Sequence, residues 1–243
     1  ELPSVVAESS DLIITCVKDA DAVKQVLFGQ GGVVSGKHDD MTVADMSTIN
    51  PNAAKEISKK LHDEGIKSIE IPVMGGPNVA IEGKLVLMAS GDKESFDIFS
   101  QVFNTIANKT FFLGESGSAH SIKLAMNLQI SLLALSLSEG IMLTKKAGFD
   151  PEKFLEILNS TYFSTGMSQK KAYKMIRDEY QPTFTLKNLK KDLDTITAAA
   201  KDFGAILPIA ERANEIYKDA ENAGFGEIDY TGILEYIKKL SLD

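Results

Sequence analysis

A chain of 243 residues that is 44% apolar and 25% charged can bury a sizeable core in one large domain or two modest ones, which excludes disorder and collagen-like order. Its 26 Lys and Arg against 34 Asp and Glu leave a net charge of −8, and only Arg177 and Arg212 are arginines. A nucleic-acid surface calls for the opposite balance or a concentrated basic patch, so nucleic acid is not an expected partner.

The chain opens at Glu1 rather than Met and runs through Val5 and Val6 toward an apolar run without a signal-peptide pattern, so it reads as a chain whose beginning is absent. Leu12 to Val17 is a continuous apolar run of the kind buried in parallel sheets. Cys16 lies inside it and is the lone cysteine, which fits a reduced, cytoplasmic protein. Asp19 to Leu27 reads as a helix and Thr42 to Met46 as a second strand. Asn50-Pro51 then supplies an N-cap and first-turn pair for a helix with Ala54, Ile57 and Leu61 on one face, stopped by Gly65. Ile69 to Val73, Leu85 to Ala89 and Thr110 to Leu113 complete five strand candidates, with a helix from about Asp92 to Phe103. Strand and helix in alternation predict a mostly parallel sheet with helices on its faces.

Past Gly114 the texture becomes all helical. Ser118 to Ala147 holds no Pro and one internal Gly, predicting a single helix roughly 45 Å long at 1.5 Å per residue. Its uncharged stretch, Leu124 to Ser138, is 15 residues, short of the roughly 20 that a bilayer span needs, so it reads as a buried helix and no membrane partner is expected. That much Leu and Ile makes it either a post between two domains, a subunit contact or a plain core helix. Asp150-Pro151 opens the next helix, and helical periodicity continues over Ser168 to Arg177, Leu186 to Phe203, Pro208 to Asn222 and Thr231 to Leu240. The domain boundary falls near Glu115.

Four constellations can carry chemistry. Ile71 to Pro77 ends a strand in Gly75-Gly76, either a tight loop or a place where backbone N–H groups meet an anion without a Cβ in the way. Gly114-x-x-Gly117 leads into Lys123 and Asn127, four apart on one helix face among apolar neighbours. That lysine is either a solvated first-turn residue or a partly desolvated acid/base, with Asn127 able to orient a hydroxyl beside it. Lys187 and Lys191-Asp192 share a helix face that is either wet or functional. Asp45-Met46-Ser47-Thr48 sets small hydroxyls at a strand's carboxyl end, where open sheets bind ligands. His38, His62 and His120 are scattered, so no metal cluster is expected, and no G-x-S-x-G elbow accompanies Ser118, His120 and Ser121 to make a triad. His120 reads as an ordinary helix-start residue close to Lys123.

In order and spacing, Asp45-Met46-Ser47-Thr48, Pro72-Val73-Met74-Gly75-Gly76 followed by Ala80-x-x-Gly83-Lys84-Leu85, Gly117 to Lys123-x-x-x-Asn127, and Phe184-x-Leu186 to Lys191-Asp192-Leu193 together resemble the β-hydroxyacid dehydrogenase family. This is the group of 3-hydroxyisobutyrate dehydrogenase, tartronate semialdehyde reductase and glyoxylate/succinic semialdehyde reductase. The resemblance implies an α/β Rossmann domain over residues 1–115, and an all-α substrate and dimerisation domain over 116–243 that begins with the long interdomain helix 118–147. It implies NAD or NADP as cofactor, and an oxidoreductase interconverting a small β-hydroxyacid, or a glyoxylate- or semialdehyde-type acid, with its carbonyl form. It makes Lys123 the catalytic acid/base, Met74, Gly75, Gly76 and Asn127 the substrate contacts, and Val17, Lys18, Thr48 and Lys191 the cofactor contacts.

Two departures from the family pattern stand out. Met74 occupies the usual place of Ser, trading a hydroxyl donor for a thioether. No G-x-G-x-x-G is present, so the first β-α-β unit, on the order of 45 to 50 residues, is expected to precede Glu1. A homodimer or homotetramer is expected. Imine reduction and a non-catalytic dimerisation or cofactor-sensing role are the competing readings.

Overall fold

In a computed structural model describing residues 2–241, the first unit, Glu1–Ala125, is built on a six-stranded sheet. In chain order it runs α1 (Pro3–Ala7), β1 (Leu12–Thr15), α2 (Ala20–Phe28), β2 (Thr42–Asp45), α3 (Pro51–Asp63), β3 (Lys67–Glu70), β4 (Val73–Met74), α4 (Pro77–Ile81), β5 (Leu85–Gly91), α5 (Lys93–Ile98), α6 (Ser100–Ile106) and β6 (Ala107–Phe112). Helix α3 forms for the reasons its sequence suggests. The Asn50 side chain accepts from Asn52 N at 2.8 Å, Pro51 fills the first turn, Ala54, Ile57 and Leu61 are buried, and Gly65 ends it at φ 77°. Those three side chains pack with Val23, Leu27, Val33 and Val43 on one face of the sheet. Ile69, Ile71, Leu85, Leu87 and Phe103 form the core of the other. Each large side chain so buried contributes roughly 1.5–3 kcal/mol.

The sheet is mostly parallel, as the alternation of strand and helix predicts: β1, β2 and β3 are parallel and β5 pairs parallel with β6. Its antiparallel pairings are those of β5 with β3 and β4. The cause lies in the connection. Residues 75–84 between β4 and β5 hold only the short α4, and a parallel return needs a crossover of about a dozen residues or more. The strand expected over Ile69 to Val73 is likewise divided. Ile71 N still donates to Asp45 O at 2.7 Å, Pro72 has no N–H to offer, and the chain then pairs with β5 alone. The helix expected over Asp92 to Phe103 is two helices meeting at Phe99.

Helix α7 (Ser118–Lys146) is continuous for 29 residues, and the boundary between the units falls inside it, after Ala125. By length and composition it is apolar enough to cross a membrane, although its uncharged stretch alone is too short. Within the second unit, Met126–Asp243, it packs as a core helix. Leu137, Ile141 and Met142 are buried with Leu155, Ala172, Met175 and Leu234, and Ser131 and Ser138 return their hydroxyls to the helix's own carbonyls. The unit continues with α8 (Pro151–Asn159), α9 (Gly166–Lys170), α10 (Ala172–Ile176), α11 (Leu186–Asp202), α12 (Pro208–Ala220) and α13 (Ile233–Leu240). The helix read over Ser168 to Arg177 is thus α9 and α10, two short pieces. Buried Asp229 ties this part of the unit together, meeting Lys171 Nζ at 3.1 Å and accepting from the Thr183 and Thr231 hydroxyls, each at 2.8 Å.

Candidate active site

Three parallel strands end side by side, and their last residues are polar. Thr15, Asp45 and Glu70 are register partners across β1, β2 and β3, and Ser90 of β5 pairs with Glu70. All four are buried. The Thr15 hydroxyl donates to Asp45 Oδ1 at 2.7 Å and the Ser90 hydroxyl to Glu70 Oε2 at 2.7 Å, so each carboxylate has a partner on the neighbouring strand. Among the expected cofactor residues, Val17 and Thr48 are half-buried and Lys18 exposed, in the loops that leave β1 and β2. Val17 N donates to Ser47 Oγ at 3.0 Å, joining those two loops directly, and Lys18 pairs with Asp19 at 3.2 Å. Cys16 is exposed beside them rather than enclosed in the strand.

The substrate loop leaves the sheet at β4. Half-buried Met74 is followed by exposed Gly75 and Gly76. Gly75 needs to be glycine: its φ is 134°, and a Cβ would lie 2.7 Å from the Leu85 side chain. Around Gly76 a Cβ would meet nothing within 4 Å, so its backbone is open to an approaching group. Lys123, in the second turn of α7, is half-buried and donates from Nζ to Met74 Sδ at 3.2 Å. The lysine and the loop are therefore brought together, and the bond lands on the one loop residue that departs from the family pattern.

In the second unit the structure joins Asn127 to Lys191 through Asp192, which the sequence reading names in a motif but gives no role. Asn127 is buried, and its Nδ2 donates to Asp192 Oδ2 at 2.6 Å. Asp192 Oδ1 lies 2.7 Å from Lys191 Nζ. The amide is thus pinned through its nitrogen, while Asn127 Oδ1 has no hydrogen-bond partner among the described residues. A buried acceptor left open in this way is suited to a ligand hydroxyl. The sequence signal for Asp192 is its place after Lys191 in the Phe184 to Leu193 motif. His120 is also unlike its sequence reading. It is wholly buried, with Nε2 3.9 Å from both Asp45 Oδ2 and Glu70 Oε2. Burial pushes its pKa below the ordinary imidazole value, against the pull first of Glu70 and then of Asp45.

Two sequence-family profiles together account for nearly the whole chain. Residues 1–114 match the NAD binding domain of 6-phosphogluconate dehydrogenase, and residues 117–237 the NAD-binding domain of NADP-dependent 3-hydroxyisobutyrate dehydrogenase. The chain belongs to the β-hydroxyacid dehydrogenase family. As a member it is an NAD(P)-dependent dehydrogenase. Among its relatives the dehydrogenase is 29% identical to glyoxylate/succinic semialdehyde reductase 1 of Arabidopsis thaliana, over 98% of this chain and 82% of that protein. It is 28% identical to the cytokine-like nuclear factor N-PAC of Aedes aegypti, over 96% of this chain but only 42% of that longer protein. The fold of the dehydrogenase matches a 3-hydroxyisobutyrate dehydrogenase of Salmonella typhimurium with a TM-score of 0.88 at 24% identity, over 97% of this chain and 82% of that one.

The residues present fit part of a dinucleotide, the part that lies over the ends of β1 and β2. The loops past β1 and β2 carry half-buried Val17 and Thr48 and exposed Lys18 at the sheet's carboxyl end, where open α/β sheets bind such ligands.

Proposed function

We propose that this dehydrogenase interconverts a small β-hydroxyacid, or a glyoxylate- or semialdehyde-type acid, with its carbonyl form, using Lys123 as acid/base. The observation that carries the reading is the placement of Lys123 Nζ 3.2 Å from Met74 Sδ, one residue ahead of Gly75-Gly76. Bound nicotinamide supplies or accepts the hydride. In the reductive direction Lys123 gives its proton to the carbonyl oxygen as negative charge develops there, and in the oxidative direction it takes the proton of the hydroxyl. The open backbone at Gly76, with Gly75 before it, receives the substrate carboxylate, while Asn127 Oδ1, held in orientation by Asp192, accepts from a substrate hydroxyl. Met74 supplies apolar wall in place of a hydroxyl. Val17, Lys18, Thr48 and Lys191 are assigned to the cofactor.

Residues 1–115 are assigned to cofactor binding and 116–243 to the substrate and dimerisation domain. Exposed Leu143, Phe149, Ile206 and Ile209 of the second unit support assembly into a homodimer or homotetramer, and a monomer in sedimentation of the full-length protein would overturn that assignment. The unpaired Cys16 supports a cytoplasmic location. Turnover is tested with full-length protein, short hydroxyacids and semialdehydes, and both NADH and NADPH. Lys123→Ala is expected to abolish it and Lys123→Arg not to restore it. Wild-type turnover in Lys123→Ala would sink the assignment.

A further inference from the structure

The turn that launches α7 is held from the sheet by one buried carboxylate. Glu70 Oε1 accepts from Gly117 N at 2.6 Å and from the Ser116 hydroxyl. Its other oxygen takes the Ser90 hydroxyl, and Ser90 Oγ in turn accepts from Ala119 N at 3.1 Å. Two N–H groups flanking Ser118, the first residue of α7, are thereby tied to two neighbouring strands. Both are among the donors that a helix start leaves without intrahelical partners. His120, in the same first turn, has its Nε2 3.9 Å from Glu70 Oε2. Gly117 completes the fit, because at φ 89° it has no Cβ to strike Lys55 Cε, which would lie 2.6 Å away.

We propose that Glu70, acting with Ser90, is a positioning residue for the reaction: it fixes the first turn of α7 and so sets where Lys123 stands against the Met74–Gly76 loop. The inference rests on the assignment of Lys123 as acid/base. A cap serving the helix alone needs only a neutral Ser, Thr or Asn, which leaves no charge to bury. Glu70 instead spends each oxygen on a different anchor, and is 5% exposed. Its place in the chain matters as much. It lies four residues before Met74 and 47 before Gly117, so one side chain fastens the origin of the substrate loop to the origin of the lysine helix. Lys123 is six residues past Gly117, roughly 9 Å along the axis at 1.5 Å per residue. A tilt of about 6° to 7° at the first turn would displace it by about 1 Å, and an error of that size can cost roughly 100-fold in rate.

The test compares Glu70→Ala, Glu70→Gln and Ser90→Ala with wild type and Lys123→Ala, all as full-length protein, measuring kcat, KM for substrate and cofactor, and thermal unfolding. Glu70→Ala is expected to lower kcat roughly 10- to 100-fold with both KM values within threefold. Glu70→Gln keeps an oxygen for Gly117 N–H and is expected to recover most of kcat. Ser90→Ala keeps the carboxylate but frees Ala119 N–H, and is expected to lower kcat several-fold. If Glu70→Ala does not fold, the Gln and Ser90 variants carry the comparison. A lower unfolding temperature with unchanged kcat in the folded variants would overturn the proposal and leave Glu70 a structural cap. Wild-type turnover in Lys123→Ala would instead refute the catalytic assignment, so the two failures are distinct.

Discussion

Two adjacent glycines allow the substrate loop to be tested apart from the fold. At Gly76 an added methyl group finds open space, with no heavy atom within 4 Å, and its φ of −86° with ψ −178° suits any L-residue. Replacing it by Ala should leave folding unchanged or raise stability by about 0.4–1 kcal/mol, since the unfolded chain loses freedom. If the backbone there receives a carboxylate, the same methyl group obstructs the approach. Losing one hydrogen bond to a charged group costs roughly 1.5–3 kcal/mol, which at 1.36 kcal/mol per decade is roughly a 10- to 150-fold fall in kcat/KM. At Gly75 the outcome reverses in kind. A φ of 134° and a 2.7 Å approach to Leu85 should cost about 1–3 kcal/mol of stability in Gly75→Ala. Urea unfolding and steady-state kinetics on the same preparations separate the two effects. A Gly76→Ala variant of wild-type stability whose kcat/KM stays within twofold would refute the placing of substrate at this loop.

Other expectations follow from the buried polar groups. Asp192→Ala removes the shared partner of Asn127 and Lys191 and should destabilise the chain by about 3 kcal/mol in urea unfolding, with a raised substrate KM in the molecules that remain folded. Met74→Ser should lower KM for a small carboxylate substrate about 2- to 10-fold, the worth of one neutral hydrogen bond, and an unchanged or higher KM would count against the thioether's role in specificity. His120 is buried with its pKa lowered, so the native state favours the neutral ring. Its contribution to stability is whole above about pH 6.5, the ordinary imidazole value, and is lost as pH falls from there toward the folded pKa. The unfolding temperature should accordingly be lower at pH 5.5 than at pH 8, with a smaller difference in His120→Gln. An equal difference in the two proteins would show that other groups govern it.

Local signals were the legible ones. Asn50-Pro51, the Ala54, Ile57, Leu61 spacing and Gly65 describe α3 almost to the residue, and the Pro-free run from Ser118 is one helix to Lys146. The family resemblance, not the spacing alone, implied that Met74-Gly75-Gly76 and Lys123 meet one substrate, and Lys123 does reach Met74. The direction of β5 was not legible from its own residues, because it is decided by the length of the segment before it and by pairing with β3. The break of the third strand was visible only as Pro72, whose missing N–H acts once a neighbour asks for it. Glu70, the bond of Asp192 to Asn127 and the carboxylate contacts of His120 were not legible for a common reason. Each rests on residues at least 20 positions away in sequence, such as Ser90, Asn127 and Asp45, and periodicity within one element carries no trace of them.

The bond between Lys123 and Met74 has a consequence for how the lysine waits. A thioether is neutral and a weak acceptor, so it holds the ammonium in place without competing strongly for it. A carboxylate in that position would have to be expelled whenever an oxygen of the substrate arrived. If Lys123 is the acid/base, a substrate oxygen need only displace the sulfur, a weak acceptor, to reach it.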